Sequence, residues 1–305
     1  MALPIVYHPS YVVPLPAGHR FPMAKFRQLY ALLQAQGIAR REWVHQPQKP
    51  PQAWLELAHD RDYVEAYCNG TLSERAQRRI GLPWSPALVE RTQIAIGGGV
   101  LTARLALRYG LACNTAGGTH HAHPNYGSGF CIFNDLAVAA RVAQQRGWVR
   151  RIAIVDLDVH QGDGTAAIFR GDPNTFTFSM HCGVNFPSRK QASDCDVALP
   201  QGLDDRGYLQ CLARYIPDWL SQVRPDLVLY DAGVDPHADD RLGKLALSEA
   251  GLYQRDWHVL SACLAAGYPV AGAIGGGYAD DLASLARRHA LLHRAASEAF
   301  RYYHL

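Results

Sequence analysis

Two carboxylates and an imidazole at alternate positions offer the clearest chemistry in the sequence. Asp156, Asp158 and His160 follow a run of four apolar residues, 152–155, which predicts a strand buried on both faces. In an extended chain, alternate side chains point to the same side. Close acidic groups are costly unless a cation offsets their charge, and α/β sheets bind ligands at the carboxyl ends of strands. The pattern therefore predicts a metal site, and the alternative is a solvated turn.

A loop rich in glycine and histidine follows another predicted strand, at residues 111–116. It contains His120 and His121 after two glycines, which let the backbone turn so that both imidazoles face one small volume. A nearby carboxylate would fix the tautomer of such an imidazole and raise its pKa. These residues are candidates for proton transfer, and the alternative is a pair of surface histidines.

Three further positions offer chemistry with weaker signals. Phe130 follows Gly129, which permits close approach, so the ring belongs either to the core or to the wall of a channel. Asp235, after a third predicted strand, either supplies another carboxylate to the metal or begins a turn before proline. Tyr278 follows three glycines at the end of a strand, where its hydroxyl can reach the same edge or its ring can start a helix.

Predicted strands and helices alternate over most of the chain. Ser85 followed by proline predicts the start of a long helix that contains three glycines, for which close packing is the expected reason. A later helix is expected to break at Pro217, and residues 181–204 are expected to form a long loop. The alternation predicts one domain over residues 1–305, an α/β fold with a mainly parallel sheet and helices on both faces.

The composition narrows the class of protein. With 305 residues, 48% of them hydrophobic, the chain can bury a large core. A formal charge of +3 is too small to indicate direct nucleic-acid binding. Seven cysteines without a C-x-x-C pair argue against a disulfide framework or a cysteine-type zinc site. The sequence shows no signal peptide and no membrane-spanning stretch, which predicts a cytoplasmic protein without a membrane partner.

Five motifs occur together, in the order G-G-T-H-H-A, G-F-C-x-F-N-D, D-L-D-V-H-Q-G-D-G-T, A-G-V-D-P-H and G-G-G-Y. In this set the sequence resembles the zinc-dependent histone deacetylase family, which has the arginase–deacetylase fold, and the resemblance covers nearly the whole chain. The segments G-H-R-F-P-M, residues 18–23, and R-R-I-G-L-P-W-S, residues 78–85, are most similar to the class IV branch and its bacterial relatives.

The resemblance implies a role for each matching residue. Asp158, His160 and Asp235 match the ligands of the family's catalytic zinc ion, which leaves open positions for substrate. The resemblance also implies proton transfer by His120 and His121, which Asp156 and Asp163 respectively orient, and polarisation of the substrate carbonyl by Tyr278. It implies an acyl-lysine tunnel lined by Gly129, Phe130 and Phe186. It further implies a structural potassium site formed by Asp156 and Ser179 with the backbone carbonyls of Asp158, His160 and Met180.

The implied reaction is hydrolysis of an acylated lysine side chain. Zinc and the histidines activate a water molecule, and zinc and Tyr278 stabilise the oxyanion that forms when it attacks. His121 is expected to be the general base and then to protonate the leaving amine. Asp163 has no predicted cation beside it, whereas Asp156 also faces the potassium ion, so His121 is expected to be the stronger base.

Other interpretations remain open. An arginase-like dinuclear manganese hydrolase would need an aspartate where His237 stands, two residues after Asp235, and a single metal is therefore favoured. A silent acyl-lysine-binding module would usually have lost a ligand or the tyrosine, and none is missing. The substrate is either lysine bearing an acetyl or longer acyl group in proteins or peptides, or an acetylated polyamine or other small acylated amine. A compact chain without a long insertion favours peptidyl lysine.

Overall fold

The computed structural model describes residues 2–305 and contains one eight-stranded sheet, in which every pair of neighbouring strands is parallel. The strand order is β2-β1-β3-β8-β7-β4-β5-β6. The strands are β1 (Ile5–Val6), β2 (Val44–His45), β3 (Leu111–Asn114), β4 (Ile152–Asp156), β5 (Thr175–Cys182), β6 (Cys195–Leu199), β7 (Leu227–Asp231) and β8 (Val270–Ala273).

Helices cover the sheet in two groups. In one, α5 (Pro86–Tyr109) packs on α6 (Asp135–Gln145); in the other, α10 (Leu282–Tyr302) packs between α1 (Lys25–Ala35) and α9 (Glu249–Ala265), and α8 (Asp205–Val223) packs on α9. The helices are α1 (Lys25–Ala35), α2 (Gln52–Leu55), α3 (Arg61–Cys68), α4 (Glu74–Ile80), α5 (Pro86–Tyr109), α6 (Asp135–Gln145), α7 (Asp163–Ile168), α8 (Asp205–Val223), α9 (Glu249–Ala265) and α10 (Leu282–Tyr302). The predicted three-layer α/β fold is confirmed. Of the helices in residues 2–305, none combines the length and the apolar character that crossing a membrane requires.

The long helix α5 starts where the sequence predicts. The Ser85 hydroxyl accepts a hydrogen bond from the Leu88 amide at 3.1 Å, and a proline occupies the first turn. Two of the three glycines inside this helix are needed for close packing, because a Cβ atom on Gly97 would collide with the carbonyl oxygen of Gln48 and one on Gly98 with the Tyr11 hydroxyl. The prediction that tight packing explains these glycines is confirmed.

Two expectations about elements were wrong. The segment expected to be a long loop, residues 181–204, contains the edge strand β6, which pairs with β5. The expected break at Pro217 does not occur, since α8 runs through it. Pro217 is exposed, so its ring does not disturb the buried side of the helix, where Ile216 and Leu220 pack.

Parallel pairing brings the carboxyl ends of the strands to one edge of the sheet. The buried side chain of Arg255, in α9, supports the loops at this edge. Its guanidinium donates to the carbonyls of Leu157 at 3.2 Å and Gly233 at 2.5 Å, and its Nε atom contacts Asp256 at 2.9 Å. The loops that follow β4 and β7 are thus tied to one cation beneath them.

Candidate metal centre and active site

Two buried carboxylates and one imidazole meet in the loops that follow β4 and β7. The Nδ1 atom of His160 lies 2.9 Å from Oδ1 of Asp158 and 3.2 Å from Oδ2 of Asp235. Candidate ligand atoms of these three residues, which we call the metal cluster, all lie within 4.8 Å of one another. Oδ2 of Asp235 is buried and accepts no well-aligned hydrogen bond from residues 2–305. A buried carboxylate oxygen without a partner costs free energy of folding, and a bound cation would supply the missing partner. The metal cluster therefore fits a cation.

The charges of the metal cluster fit a cation as well. Burial and the carboxylate of Asp158 raise the pKa of Asp235 to about 7. Burial lowers the pKa of His160, but the two carboxylates outweigh burial and raise it to about 10. A proton on His160 would partly balance these carboxylates. A divalent cation that accepts nitrogen and oxygen ligands would take over that role.

Backbone amides hold the carboxylates of the metal cluster in place. The amide of Val159 donates to Oδ1 of Asp235 at 2.9 Å, and the amide of Gly276 donates to Oδ2 of Asp158 at 2.8 Å. A Cβ atom on Gly276 would collide with both carboxylates. Glycine is therefore required for the loop after β8 to bring its backbone donors to the cluster.

The adjacent histidines lie beside the metal cluster, each on its own carboxylate. Nδ1 of His120 is 2.7 Å from Oδ2 of Asp156, and Nδ1 of His121 is 2.6 Å from Oδ1 of Asp163. All four residues are buried. A carboxylate at Nδ1 holds the proton of a neutral ring on that atom and leaves Nε2 as the acceptor. The structure thus brings together the pairs that the sequence resemblance implied.

Asp163 does not serve His121 alone, contrary to the expectation from sequence. Its Oδ2 atom lies 3.0 Å from Nε2 of His123. Burial and the charge of His120 lower the pKa of His121 to about 4. The carboxylates beside His120 outweigh burial and raise its pKa well above the ordinary value. From the protein charges alone His120 is the stronger base, because it faces more negative charge than His121. The expected order assumed a potassium ion beside Asp156 and stays a prediction.

Tyr278 sits in the loop after β8, which is fixed from two sides. Asp240 accepts a hydrogen bond from the Tyr278 amide at 2.7 Å. The buried Nζ atom of Lys25 donates to two carbonyls of the preceding glycine run at 3.3 and 3.4 Å, and it lies 5.7 Å from the centre of the Tyr278 ring. Burial and nearby carboxylates raise the pKa of Tyr278 well above its ordinary value, so its hydroxyl remains a donor.

A cavity of about 500 Å³, which we call the pocket, reaches the metal cluster at His160. The ring centres of Phe186 and His121 are 4.8 Å apart, and those of Phe130 and Tyr278 are 5.8 Å apart. The residues of the expected tunnel that line the pocket are Gly129, Phe130 and Phe186. Gly129 has a φ of +54°, and a Cβ atom there would lie 2.8 Å from the His121 ring, so the position requires glycine.

The segments 18–23 and 78–85, which the sequence analysis marked by motif similarity, also line the pocket, a role that the sequence alone did not reveal. Arg20 comes from the first segment, and residues 78–81 come from the second. The Phe130 amide donates to the carbonyl of Ile80 at 2.8 Å, and the His19 ring contacts the carbonyl of Gly81 at 3.0 Å. Only motif similarity marked these segments, since no spacing of chemical groups points to the pocket.

The residues expected to bind potassium lie on β4, on β5 and in the loop after β4. The strand register places Asp156 opposite Ser179, and Met180 follows on β5. The hydroxyl of Ser179 is 3.0 Å from Nδ1 of His181, and the amide of Asp158 donates to Oδ1 of Asp156 at 3.1 Å. Potassium binding by these residues stays a prediction.

Another buried carboxylate, that of Asp231, was not anticipated from the sequence. It ends β7 opposite Asp156, and its Oδ2 atom lies 3.8 Å from Nδ1 of His120. These three residues form a second group of candidate ligand atoms within 4.8 Å of one another. Burial and the charge of Asp156 raise the pKa of Asp231 well above its ordinary value. Its signal was an acidic residue at the end of an apolar strand, directly before the A-G-V-D-P-H motif.

His237 lies apart from the metal cluster. Its Nδ1 atom accepts a hydrogen bond from the Asp239 amide at 3.0 Å, so it closes a local turn. The position where a dinuclear site would need a carboxylate thus has a structural contact of its own.

Comparison with known proteins gives the family. A family model described as the histone deacetylase domain matches residues 19–293. A protein of unassigned function from Picosynechococcus sp. is 66% identical over 98% of this chain and 100% of its own length. The acetoin utilization protein AcuC of Staphylococcus aureus is 30% identical over 79% of this chain and 67% of its own. Histone deacetylase 2 of Arabidopsis thaliana is 26% identical over 93% of this chain and 79% of its own length.

A solved structure shows the same fold. The HD domain of HDA15 superposes with a TM-score of 0.83 at 21% identity, over 98% of this chain and 89% of that one. The predicted arginase–deacetylase fold is therefore confirmed. The family model spans most of the chain and includes every motif that suggested the resemblance, so the chain belongs to the histone deacetylase family.

Proposed function

We propose that the protein is a zinc-dependent lysine deacylase, which removes acetyl or longer acyl groups from lysine side chains of proteins or peptides. The observation that carries this proposal is that His121, His160 and Tyr278 share one pocket with the aromatic rings of Phe130 and Phe186. An acylated lysine side chain is long and apolar and ends in an amide. Its hydrolysis needs a base, a Lewis acid and a hydrogen-bond donor at the closed end of such a pocket.

Asp158, His160 and Asp235 are the proposed ligands of one zinc ion, in keeping with their burial and mutual distances. Zinc bound there would polarise the amide carbonyl and lower the pKa of an attacking water molecule. A structural potassium ion is proposed beside Asp156 and Ser179, where its charge would offset that of the buried carboxylate.

The protonation states of the two histidines support different roles. With its lowered pKa, His121 is neutral near pH 7 and can accept a proton from the attacking water at Nε2. His120, with its raised pKa, contributes positive charge near the developing oxyanion. The protonated His121 then delivers its proton to the leaving amine. The Tyr278 hydroxyl donates a hydrogen bond to the oxyanion.

Small acylated amines, including acetylated polyamines, are the alternative substrates. A silent binding module is disfavoured, because the metal cluster, both histidine pairs and the tyrosine are all present. The proposed location remains the reducing cytoplasm expected from the sequence.

A panel of lysine peptides that carry acetyl, butyryl, octanoyl or myristoyl groups, together with acetylated polyamines, tests the proposal. Zinc-loaded protein is expected to release the free lysine peptide from at least one of them, as measured by mass spectrometry. Tyr278→Phe serves as the control, and we expect it to keep its metal and to lose about 10²- to 10³-fold in turnover. Hydrolysis of the polyamines alone would move the assignment to small amines, and no hydrolysis at all would overturn it.

A further inference from the structure

The mouth of the pocket is positively charged. Four basic side chains line it, and no aspartate or glutamate of the described chain does so. These residues, which we call the rim cations, are Arg20, Arg78, Arg79 and Lys244. All four are exposed. They come from three separate segments, namely the loop before α1, the last turn of α4 and the loop between β7 and α9.

Three of the rim cations form no ion pair with an acidic side chain of residues 2–305. Arg78 pairs with Glu74 at 3.0 Å, although both side chains are largely exposed. No ion pair formed within residues 2–305 includes Arg20, Arg79 or Lys244. An anionic ligand at the mouth would therefore meet cations that need not first release another partner.

Two carboxylates close to the mouth already have partners, so neither offers a free, exposed negative charge there. Asp240 is buried and accepts hydrogen bonds from the amides of Leu242 at 2.8 Å and Gly243 at 3.0 Å, in addition to that of Tyr278. Asp280 forms an ion pair with Arg241. The exposed charged side chains that line the pocket are therefore all positive.

The rim cations flank both aromatic walls. The guanidinium of Arg79 lies over the Tyr126 ring, 4.5 Å from the ring centre. Arg79 directly precedes Ile80, whose carbonyl accepts a hydrogen bond from the Phe130 amide. Lys244 belongs to the other wall. It lies two residues after Leu242, whose carbonyl accepts a hydrogen bond at 2.7 Å from the side chain of Asn185, the residue before Phe186. Charge is therefore available on two sides of the opening.

We propose that the rim cations select acylated lysines that are flanked on both sides by aspartate or glutamate in an extended peptide. This inference rests on the lysine deacylase function proposed above. Because the cations lie on separate walls, several carboxylates along a peptide match more of them than one carboxylate on a small amine. Basic flanks and acetylated polyamines carry like charge and are repelled.

Three acetyl-lysine peptides of equal length test this selection, with two glutamates, two glutamines or two lysines on each side of the acetyl-lysine. At about 50 mM salt we expect the acidic peptide to exceed the basic one at least about tenfold in kcat/KM, since an exposed ion pair contributes up to about fivefold and several act together. The ratio should shrink toward one in 0.5 M salt, where the Debye length is only about 4 Å. The glutamine peptide reports the deacylase function alone.

A charge-reversed variant with Arg20→Glu, Arg79→Glu and Lys244→Glu should prefer the basic peptide. The matched control is Arg214→Glu on an exposed position of α8 outside the pocket lining, which should keep the acidic preference.

Fluorescence anisotropy with the same labelled peptides measures selection even if none is hydrolysed, so failure of the deacylase proposal and failure of this one are distinguishable. Equal binding of all three peptides at low salt would overturn it. Strong competition by a short single-stranded RNA without any effect of peptide charge would overturn it as well and assign the rim to nucleic acid.

Discussion

The two adjacent histidines contact carboxylates of the same kind, yet they differ in protonation state. His121 is neutral near pH 7 and faces the pocket, whereas His120 lies among more negative charge. We therefore expect His121→Ala to lose more turnover than His120→Ala, with a loss of about 10²- to 10⁴-fold for the base. Rates on one acyl-lysine peptide compare the variants.

Metal content provides the control for this comparison. Neither histidine belongs to the metal cluster, so both variants should bind as much zinc as the parent protein. A more damaged His120→Ala enzyme would reverse the assignment of the base. Loss of metal from either variant would show that the ligand set is wrong.

At the residue scale, the sequence predicted contacts that motifs encode and missed contacts that folding creates. The pairing of His121 with Asp163 followed from family resemblance. The second contact of Asp163, to His123, depends on how the loop folds back on itself, and the H-x-H spacing alone does not specify it. Motif similarity therefore did not reveal that His121 and His123 share Asp163.

At the element scale, α5 depends on glycine at its buried face. In an ordinary helix, Gly→Ala stabilises by about 1 kcal/mol. We expect Gly98→Ala instead to lower the free energy of unfolding by roughly 1–3 kcal/mol, because the added methyl group would collide with the Tyr11 hydroxyl. Denaturant unfolding measures the change.

Gly99→Ala is the matched control for that experiment. Its nearest neighbour is the carbonyl oxygen of Asp135, 3.2 Å from the built Cβ position, so a small shift accommodates it. This variant should stay within about 1 kcal/mol of the parent. Equal effects of the two substitutions would refute the packing argument.

Elements with strong local signals were predicted well, and those that depend on tertiary pairing were not. The start of α5 is encoded locally by a serine cap and a proline. Strand β6 alternates buried Val197 and Leu199 with exposed Asp196 and Ala198 at the sheet edge, and it is recognisable only once β5 is beside it. Pro217 signals a break by itself, but α8 continues through it and is held in the fold by the buried side chains of Ile216 and Leu220.

On the scale of the whole molecule, several buried neutral histidines make stability depend on pH. His59 is one of them, and burial lowers its pKa from 6.5 to about 4. A group of this kind binds its proton more readily in the unfolded chain. Its stabilising contribution is therefore complete above about pH 6.5 and is lost as pH falls from 6.5 to about 4, which corresponds to roughly 3 kcal/mol.

His59→Gln isolates this effect. The His59 ring contacts the carbonyl of His123 and the amide of Asn134, both at 2.9 Å, and a glutamine amide can replace both contacts. We expect the free energy of unfolding of the variant to fall less steeply than that of the parent between pH 6.5 and 4. The difference in slope should be at most that of one bound proton, about 1.4 kcal/mol per pH unit. Identical slopes for variant and parent would show that His59 does not titrate in this range.

The titration of metal-free protein with zinc tests the central claim most directly, because the account requires one catalytic ion held by Asp158, His160 and Asp235. Turnover of an acyl-lysine peptide is expected to rise linearly to one equivalent of zinc and then to level off, and Asp235→Asn should abolish the rise. Full turnover without metal, or a requirement for two equivalents, would contradict a mononuclear zinc deacylase.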